Sequence, residues 1–408
     1  MFNTPKGLRL HIGIFGRTNV GKSSLLNALT RQNVSIISSV PGTTTDPVEK
    51  AMELLPIGPV LFIDTAGIND VSSLGGLRLD KTKKIIDRVD IALLVTEADV
   101  WGEFEENLFF QFVEKKIPVL VILNKTDILS MDEKIVKMLS SRKIPYVGLS
   151  CSKAGWDAAS TVKNEIIKIL PDELMQPVRI IADLIKSGDT VVLVVPVDKE
   201  APKGRLIMPQ QQAIRDILDA GAYAYVVNEK TLSETIKNLR TKPAMVVTDS
   251  QAFETVFKQT PLDIPVTSFS MLFARFKGDL EELVKGACEI DKLQNGDSVL
   301  IAEACTHHPI GDDIGRVKIP DWIRKKQAAD IKFDIISGHD YPEDLSKYKL
   351  IIHCGACTLN RKEMLSRIMQ CRLANVPITN YGIAIAHIFG NLKRALEPLI
   401  KKDDTEKS

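Results

Sequence analysis

At 408 residues, with 44% apolar and 26% charged side chains, the sequence has the make-up of an ordinary globular protein of two to four domains. A net charge of +1 argues against a bulk polyanion partner, and no apolar run approaches the ~18 residues of a membrane-spanning helix. Met1 to Leu10 lacks an apolar signal core, so the expected compartment is the cytoplasm, where the six cysteines stay reduced.

The expected class is α/β with three domains. The domains are expected over 1–172, over 178–268 as a small parallel α/β association domain, and over 269–400, with a polar tail over 401–408. The first domain opens with a buried strand, Leu10 to Phe15, that runs into Gly16-Arg17-Thr18-Asn19-Val20-Gly21-Lys22-Ser23 and then a helix. This is a phosphate loop in its required strand–loop–helix setting. Gly16 and Gly21 let backbone N–H groups close on phosphate, Lys22 adds positive charge, and the Ser23 hydroxyl suits Mg²⁺. Asn19, Val20 and Ser24 complete the run expected to line the nucleotide.

Asp64-Thr65-Ala66-Gly67 follows the strand Val60 to Ile63. Asp64 is placed to reach Mg²⁺ through water, and the Gly67 N–H to sense the γ-phosphate. Asn124-Lys125-Thr126-Asp127 follows the strand Val119 to Leu123. The Asp127 carboxylate can accept both N–H groups of guanine N1 and N2, a donor pair that adenine lacks. Ser150-Cys151 stands where a small loop contacts guanine O6, with Cys151 filling an alanine's place. The nucleotide is GTP.

These segments resemble the TrmE–Era–EngA branch of the translation-factor-like GTPases. The resemblance implies that Pro41-Gly42-Thr43-Thr44-Thr45-Asp46 is the first switch, with Thr44 joining Ser23 on Mg²⁺. It also implies that Asn19 holds K⁺, which supplies charge beside the β–γ bridge. Ile68 occupies the place of a catalytic glutamine and cannot orient water. Slow hydrolysis stimulated by K⁺ is therefore expected, carried by Lys22, Asn19, Thr44, Asp64 and Gly67.

Pro171 to Pro177 reads as a linker. Beyond it, strands and helices alternate from Thr190 to Ser268 without a nucleophile–base pair, a second phosphate loop or metal spacing. The charged stretch 199–205 reads as a solvated loop. A sheet module without a site suits association, and a homodimer is expected.

The last domain carries Cys305-Thr306-His307 at the end of the strand Val299 to Ala304. It also carries His353-Cys354-Gly355-Ala356-Cys357 at the end of the strand Lys349 to Ile352, ahead of a helix over 362–374. Strand C-terminal ends are where parallel α/β sheets place their sites. Three thiols and two imidazoles suit a soft metal, either structural zinc or an iron–sulfur cluster. Cys288 and Cys371 read as core residues.

Across nearly its whole length the chain resembles the FeFe-hydrogenase maturation GTPases. That resemblance makes 1–172 a P-loop GTPase domain and 269–400 an α/β iron–sulfur-cluster domain, and it implies a 4Fe–4S cluster on Cys305, Cys354 and Cys357 with an exchangeable fourth position, for which His307 and His353 are candidates. It further implies a transient 2Fe precursor as cargo, the radical-SAM maturases HydE and HydG and apo FeFe-hydrogenase as partners, and neither membrane nor nucleic acid as a partner. The alternative is a zinc-containing RNA- or ribosome-associated GTPase.

Overall fold

The computed structural model describes residues 4–30, 47–65, 82–151, 155–171, 174, 179–196, 206–304, 313–338, 341–342 and 344–400. Thr44 and its switch, Gly67, Ile68, the loop 199–205, Cys305, His307 and the tail 401–408 lie outside these residues. The chain forms two compact units, Met1–Pro177 and Val178–Ser408.

The first unit is built on a six-stranded sheet of order β2-β3-β1-β4-β5-β6. The strands are β1 (Leu10–Phe15), β2 (Val48–Leu54), β3 (Gly58–Asp64), β4 (Ile91–Glu97), β5 (Val119–Asn124) and β6 (Tyr146–Gly148). All neighbours are parallel except the β2–β3 pair. Central parallel strands are covered on both faces and read as continuous apolar runs. In β1, Ile12 and Ile14 join one apolar cluster with Leu25, Leu29 and Val162, while Phe15 joins another with Ile63, Leu94 and Phe112. Two helical layers thus clamp the sheet, and the loops at the C-terminal strand ends are left to bind ligand.

The second unit holds two four-stranded parallel sheets. One has the order β10-β9-β7-β8, from β7 (Thr190–Val194), β8 (Tyr223–Val227), β9 (Met245–Thr248) and β10 (Val266–Ser268). The other has the order β12-β11-β13-β14, from β11 (Ser298–Glu303), β12 (Lys332–Ser337), β13 (Leu350–His353) and β14 (Ile378–Asn380). A single apolar cluster runs through both. The helix Phe269–Lys277 joins them. Ser268 caps it by accepting from Met271 N at 3.2 Å, and it packs on the helices Met208–Asp219, Arg361–Leu373 and Tyr381–Ile388. Arg394 adds a polar clasp, donating to the carbonyls of Phe257, Thr260 and Pro261 at 2.7–2.9 Å. The boundary expected at 268/269 therefore falls inside one compact unit.

Edge strand β8 exposes Tyr223, Tyr225 and Val226. Cys371 is buried, as read, but Cys288 is exposed. The helix Leu280–Cys288 buries Leu283, Gly286 and Ala287, and Cys288 falls with Glu281 and Lys285 on its outer stripe. Among the described residues no helix is long and apolar enough to cross a membrane.

Candidate functional site

The phosphate loop leaves β1 and enters the helix Lys22–Thr30. Gly16 has φ +142°, and a Cβ there would lie 2.1 Å from the Val95 carbonyl oxygen. Gly21 has φ +100°, and a Cβ there would lie 2.1 Å from Asn124 Nδ2. Both positions require glycine for conformation and for space. Asn19 is also left-handed, at φ +63°, a conformation asparagine tolerates.

Lys22 is buried and donates to the carbonyls of Gly16 at 3.0 Å and Arg17 at 2.7 Å. Burial pulls its ammonium down to about 8, and the nearby Asp64 opposes that shift. Asp64 is itself raised by burial, with Ser23 and Lys22 opposing. Ser23 Oγ donates to Asp64 Oδ2 at 2.8 Å, while Asp64 Oδ1 is buried without a hydrogen-bond partner among the described residues. An orphaned carboxylate oxygen beside a serine hydroxyl fits a hydrated Mg²⁺.

Asn124 is a strut between two loops. Its Nδ2 donates to Val20 O at 2.7 Å, and its Oδ1 accepts from Cys151 N at 2.9 Å. The phosphate loop is thereby tied to the loop of Ser150 and Cys151. Lys125, at φ +65°, ion-pairs with Glu97 at the end of β4, and Asp127 follows in the turn after β5. Burial pushes the Cys151 thiol up to about 12, as suits an inert loop filler.

A further clamp carries no motif of its own. Arg17 makes a bidentate pair with Glu105, Nε to Oε1 at 2.6 Å and Nη2 to Oε2 at 2.8 Å, and lies over the Phe104 ring. Glu105 is fully buried, so the tip of the phosphate loop is anchored to the helix Glu103–Glu114.

In the second unit, β13 delivers His353 and the loop that follows carries Cys354 and Cys357, both half-buried. Cys354 N donates to Ala302 O at 2.8 Å, and Ala304 N points at Cys354 Sγ at 3.0 Å. The residue preceding Cys305 is thus in contact with Cys354. Thr358 Oγ1 donates to Ala304 O at 2.9 Å and closes the same junction. The loop turns at Ala356, φ +52°, and the helix Arg361–Leu373 begins after Asn360, whose side chain accepts from Glu363 N at 2.9 Å.

His353 is fully buried and both of its ring nitrogens are engaged. Nδ1 lies 2.8 Å from Cys354 O, and Nε2 lies 2.9 Å from Arg367 Nη1. Arginine only donates, so Nε2 accepts and Nδ1–H faces the carbonyl. Burial, reinforced by Arg367, holds the imidazole down at about 3 and therefore neutral. As found, neither nitrogen is open to a metal. Lys277, which no motif marks, also bears on this loop. It is 1% exposed and donates to three carbonyls of the cysteine loop, at Ala356, Cys357 and Leu359. Burial draws its ammonium down to about 8, against the pull of Cys357, Cys354 and Glu363.

Among the described residues no three His, Cys, Asp or Glu side chains gather as a metal centre. Cys305 and His307 lie outside those residues, so the expected trio is present as its Cys354 and Cys357 members. Two cysteines on one loop, abutting the strand end that leads to a third, fit a thiolate-held cluster.

Three family models match the chain. "50S ribosome-binding GTPase" covers residues 11–125, "Hydrogen maturase F dimerization domain" residues 180–278, and "Hydrogen maturase F tetramerization domain" residues 281–398. The second match ends at residue 278 and the third begins at 281, so the helix Phe269–Lys277 falls within the dimerization match. GTPase Der of Wolinella succinogenes is 39% identical over 142 residues, 34% of this chain and 30% of that protein. GTPase Der of Campylobacter jejuni is 36% identical over 172 residues, 41% of this chain and 36% of that protein. The chain thus spans about a third of the length of these curated relatives. Among solved structures, Aquifex aeolicus Era bound to GDP.AlF4- is 25% identical, with a TM-score of 0.35, covering 60% of this chain and 97% of that one. The N-terminal domain is a GTPase domain of the kind expected from its motifs, and the two domains behind it are described as oligomerisation domains. Because the two maturase models together cover more than half of its residues behind that GTPase domain, the chain belongs to the hydrogen maturase F family.

Proposed function

We propose that the chain is a GTP-gated carrier in FeFe-hydrogenase maturation. Cys305, Cys354 and Cys357 hold a 4Fe–4S cluster whose fourth position stays exchangeable, and the 2Fe precursor is carried there to apo-hydrogenase in the cytoplasm. HydE and HydG are the partners that act before transfer. The observation that carries this reading is the 3.0 Å contact between Ala304 N and Cys354 Sγ, which sets the chain leading to Cys305 against the Cys354–Cys357 loop. When bound, the cluster supplies an iron able to accept a bridging ligand. The protein's part is to hold the thiolates and keep competing donors away. His353, tied to Arg367 and Cys354 O, is such a withheld donor, so His307 is the candidate imidazole for the fourth position.

In the GTPase domain, Ser23 and Thr44 hold Mg²⁺ with Asp64 behind its water, Asn19 holds K⁺, and Gly67 reads the γ-phosphate. Hydrolysis is slow and K⁺-stimulated. A second copy adds along the exposed edge of β8, where Tyr223, Tyr225 and Val226 stand uncovered. The ribosome binding named for the N-terminal match is not carried over. The chain is nearly neutral, and both domains behind the GTPase match maturase models.

Two substitutions test the division of labour. Lys22→Ala is expected to keep its iron and lose hydrogenase activation, measured by adding the loaded protein to apo-hydrogenase. Asn19→Ala is expected to hydrolyse GTP equally in K⁺ and Na⁺. Full activation by Lys22→Ala, or equal rates in the two salts for the parent protein, would contradict the respective role.

A further inference from the structure

We propose that Lys277 is a positioning residue for the cysteine loop, bracing the backbone between Cys354 and Leu359 and setting one positive charge beside the thiols. This rests on the iron–sulfur reading above. The ammonium has three N–H donors, and three carbonyls take them: Ala356 at 2.9 Å, Cys357 at 3.1 Å and Leu359 at 2.7 Å. A lysine this deeply buried ordinarily has a carboxylate partner. None forms a salt bridge with Lys277 among the described residues, so a whole charge is enclosed by partial ones.

The acidic groups near Lys277 are the Cys357 and Cys354 thiols and, after them, the Glu363 carboxylate, which pairs with Arg367 instead. Lys277, Cys354, Gly355 and Ala356 border one small cleft with Phe273 and Asn380. Metal binding deprotonates cysteine, and that step supplies the missing counter-charge. The brace has a second mark in the backbone. Ala356 is held at φ +52°, a conformation costly for a side-chain-bearing residue, and its carbonyl is one of the three that Lys277 grips. The lysine closes the domain matched as dimerization, while the loop lies in the domain matched as tetramerization. It therefore links the association module directly to the cysteine loop.

The test uses the full chain with Lys277→Met, which keeps the apolar stem, and Lys277→Gln, which keeps N–H donors without charge. In the iron-free protein, amide exchange of residues 355–360 in the Met variant is expected to rise at least about tenfold as these bonds are lost, with β11 and β13 unchanged. On anaerobic reconstitution, its iron affinity is expected to fall about 10–100-fold, the usual cost of an outer partner. In the Gln variant the loop stays protected, but the cluster's reduction potential is lower, since reduction adds negative charge that Lys277 no longer offsets. Exchange and iron affinity like the parent's in Lys277→Met would overturn the proposal. Should that variant lose protection throughout the unit, Lys277→Gln decides: a lowered potential supports the proposal and a parent-like one overturns it. A parent protein that binds no iron, with faster loop exchange in Lys277→Met, would sink the cluster reading and leave the brace standing.

Discussion

Gly21→Ala is expected to abolish tight GTP binding while the first unit keeps its sheet. The added Cβ meets two obstacles. The backbone sits at φ +100°, and the Cβ would lie 2.1 Å from Asn124 Nδ2. That amide cannot swing away cheaply, because it is buried and holds Val20 O on one side and Cys151 N on the other. Relieving the clash separates the phosphate loop from the loop of Ser150 and Cys151. Left-handed strain of about 1–3 kcal/mol and overpacking of about 1–3 kcal/mol together amount to roughly 2–6 kcal/mol. The lower end already corresponds to about a thirtyfold loss of affinity. Titration with a fluorescent GTP analogue measures it, and circular dichroism establishes that the fold persists. Parent-like affinity would show that the Asn124 strut is not needed to shape the site.

Gly286→Ala is expected to destabilise the second unit and spare the first. Gly286 lies where the helix Leu280–Cys288 presses on β14, and a Cβ would sit 1.9 Å from the carbonyl oxygen of Ile378 and 2.5 Å from its carbon. These are backbone atoms of a paired strand, so nothing can rotate aside. Alanine's better helix propensity returns about 1 kcal/mol. Overpacking against backbone outweighs it, at the upper end of the usual range of about 1–3 kcal/mol or beyond. For a unit of this size each kcal/mol lowers the midpoint by about 2–4 °C, so a net loss of about 2–3 kcal/mol lowers it by roughly 4–12 °C. Differential scanning calorimetry should show that shift in one transition, with GTP affinity retained. Because β14 pairs with β13 in register at Ile351, Ile352 and His353, the strand that delivers Cys354 loosens with it. An unmoved transition would mean that the helix can lift from β14 without cost.

What could be read from the sequence was whatever is local. β1, β3 and β5 announce themselves because strands buried on both faces are unbroken apolar runs, and the phosphate loop because its glycines have fixed spacing. Strand β14 is three residues long and β12 is an edge strand with half its side chains in water, so neither gives a period to detect. Position along a helix misled the reading of Cys288, which stands beside buried Ala287 yet points outward. In the cysteine loop, residue types were legible and their roles were not. His353 looks like a ligand beside Cys354 until Arg367, fourteen residues on, is seen to occupy its Nε2. Lys277 carries no signal at all, since the carbonyls it grips lie 79 to 82 residues away. Arg17 is similar, with its partner Glu105 at a separation of 88.

The proposed function stands or falls on a cluster held by Cys305, Cys354 and Cys357 with one open iron. The most direct measurement is anaerobic reconstitution with iron and sulfide, followed by metal and sulfide analysis, absorbance and electron paramagnetic resonance of the reduced protein. The parent chain should bind one 4Fe–4S cluster, turn brown with broad absorbance near ~400 nm, and give an S = 1/2 signal on reduction that shifts when imidazole is added. Replacing Cys305 or Cys357 by Ala should remove both colour and signal. A colourless parent protein that takes up stoichiometric zinc instead would contradict the account.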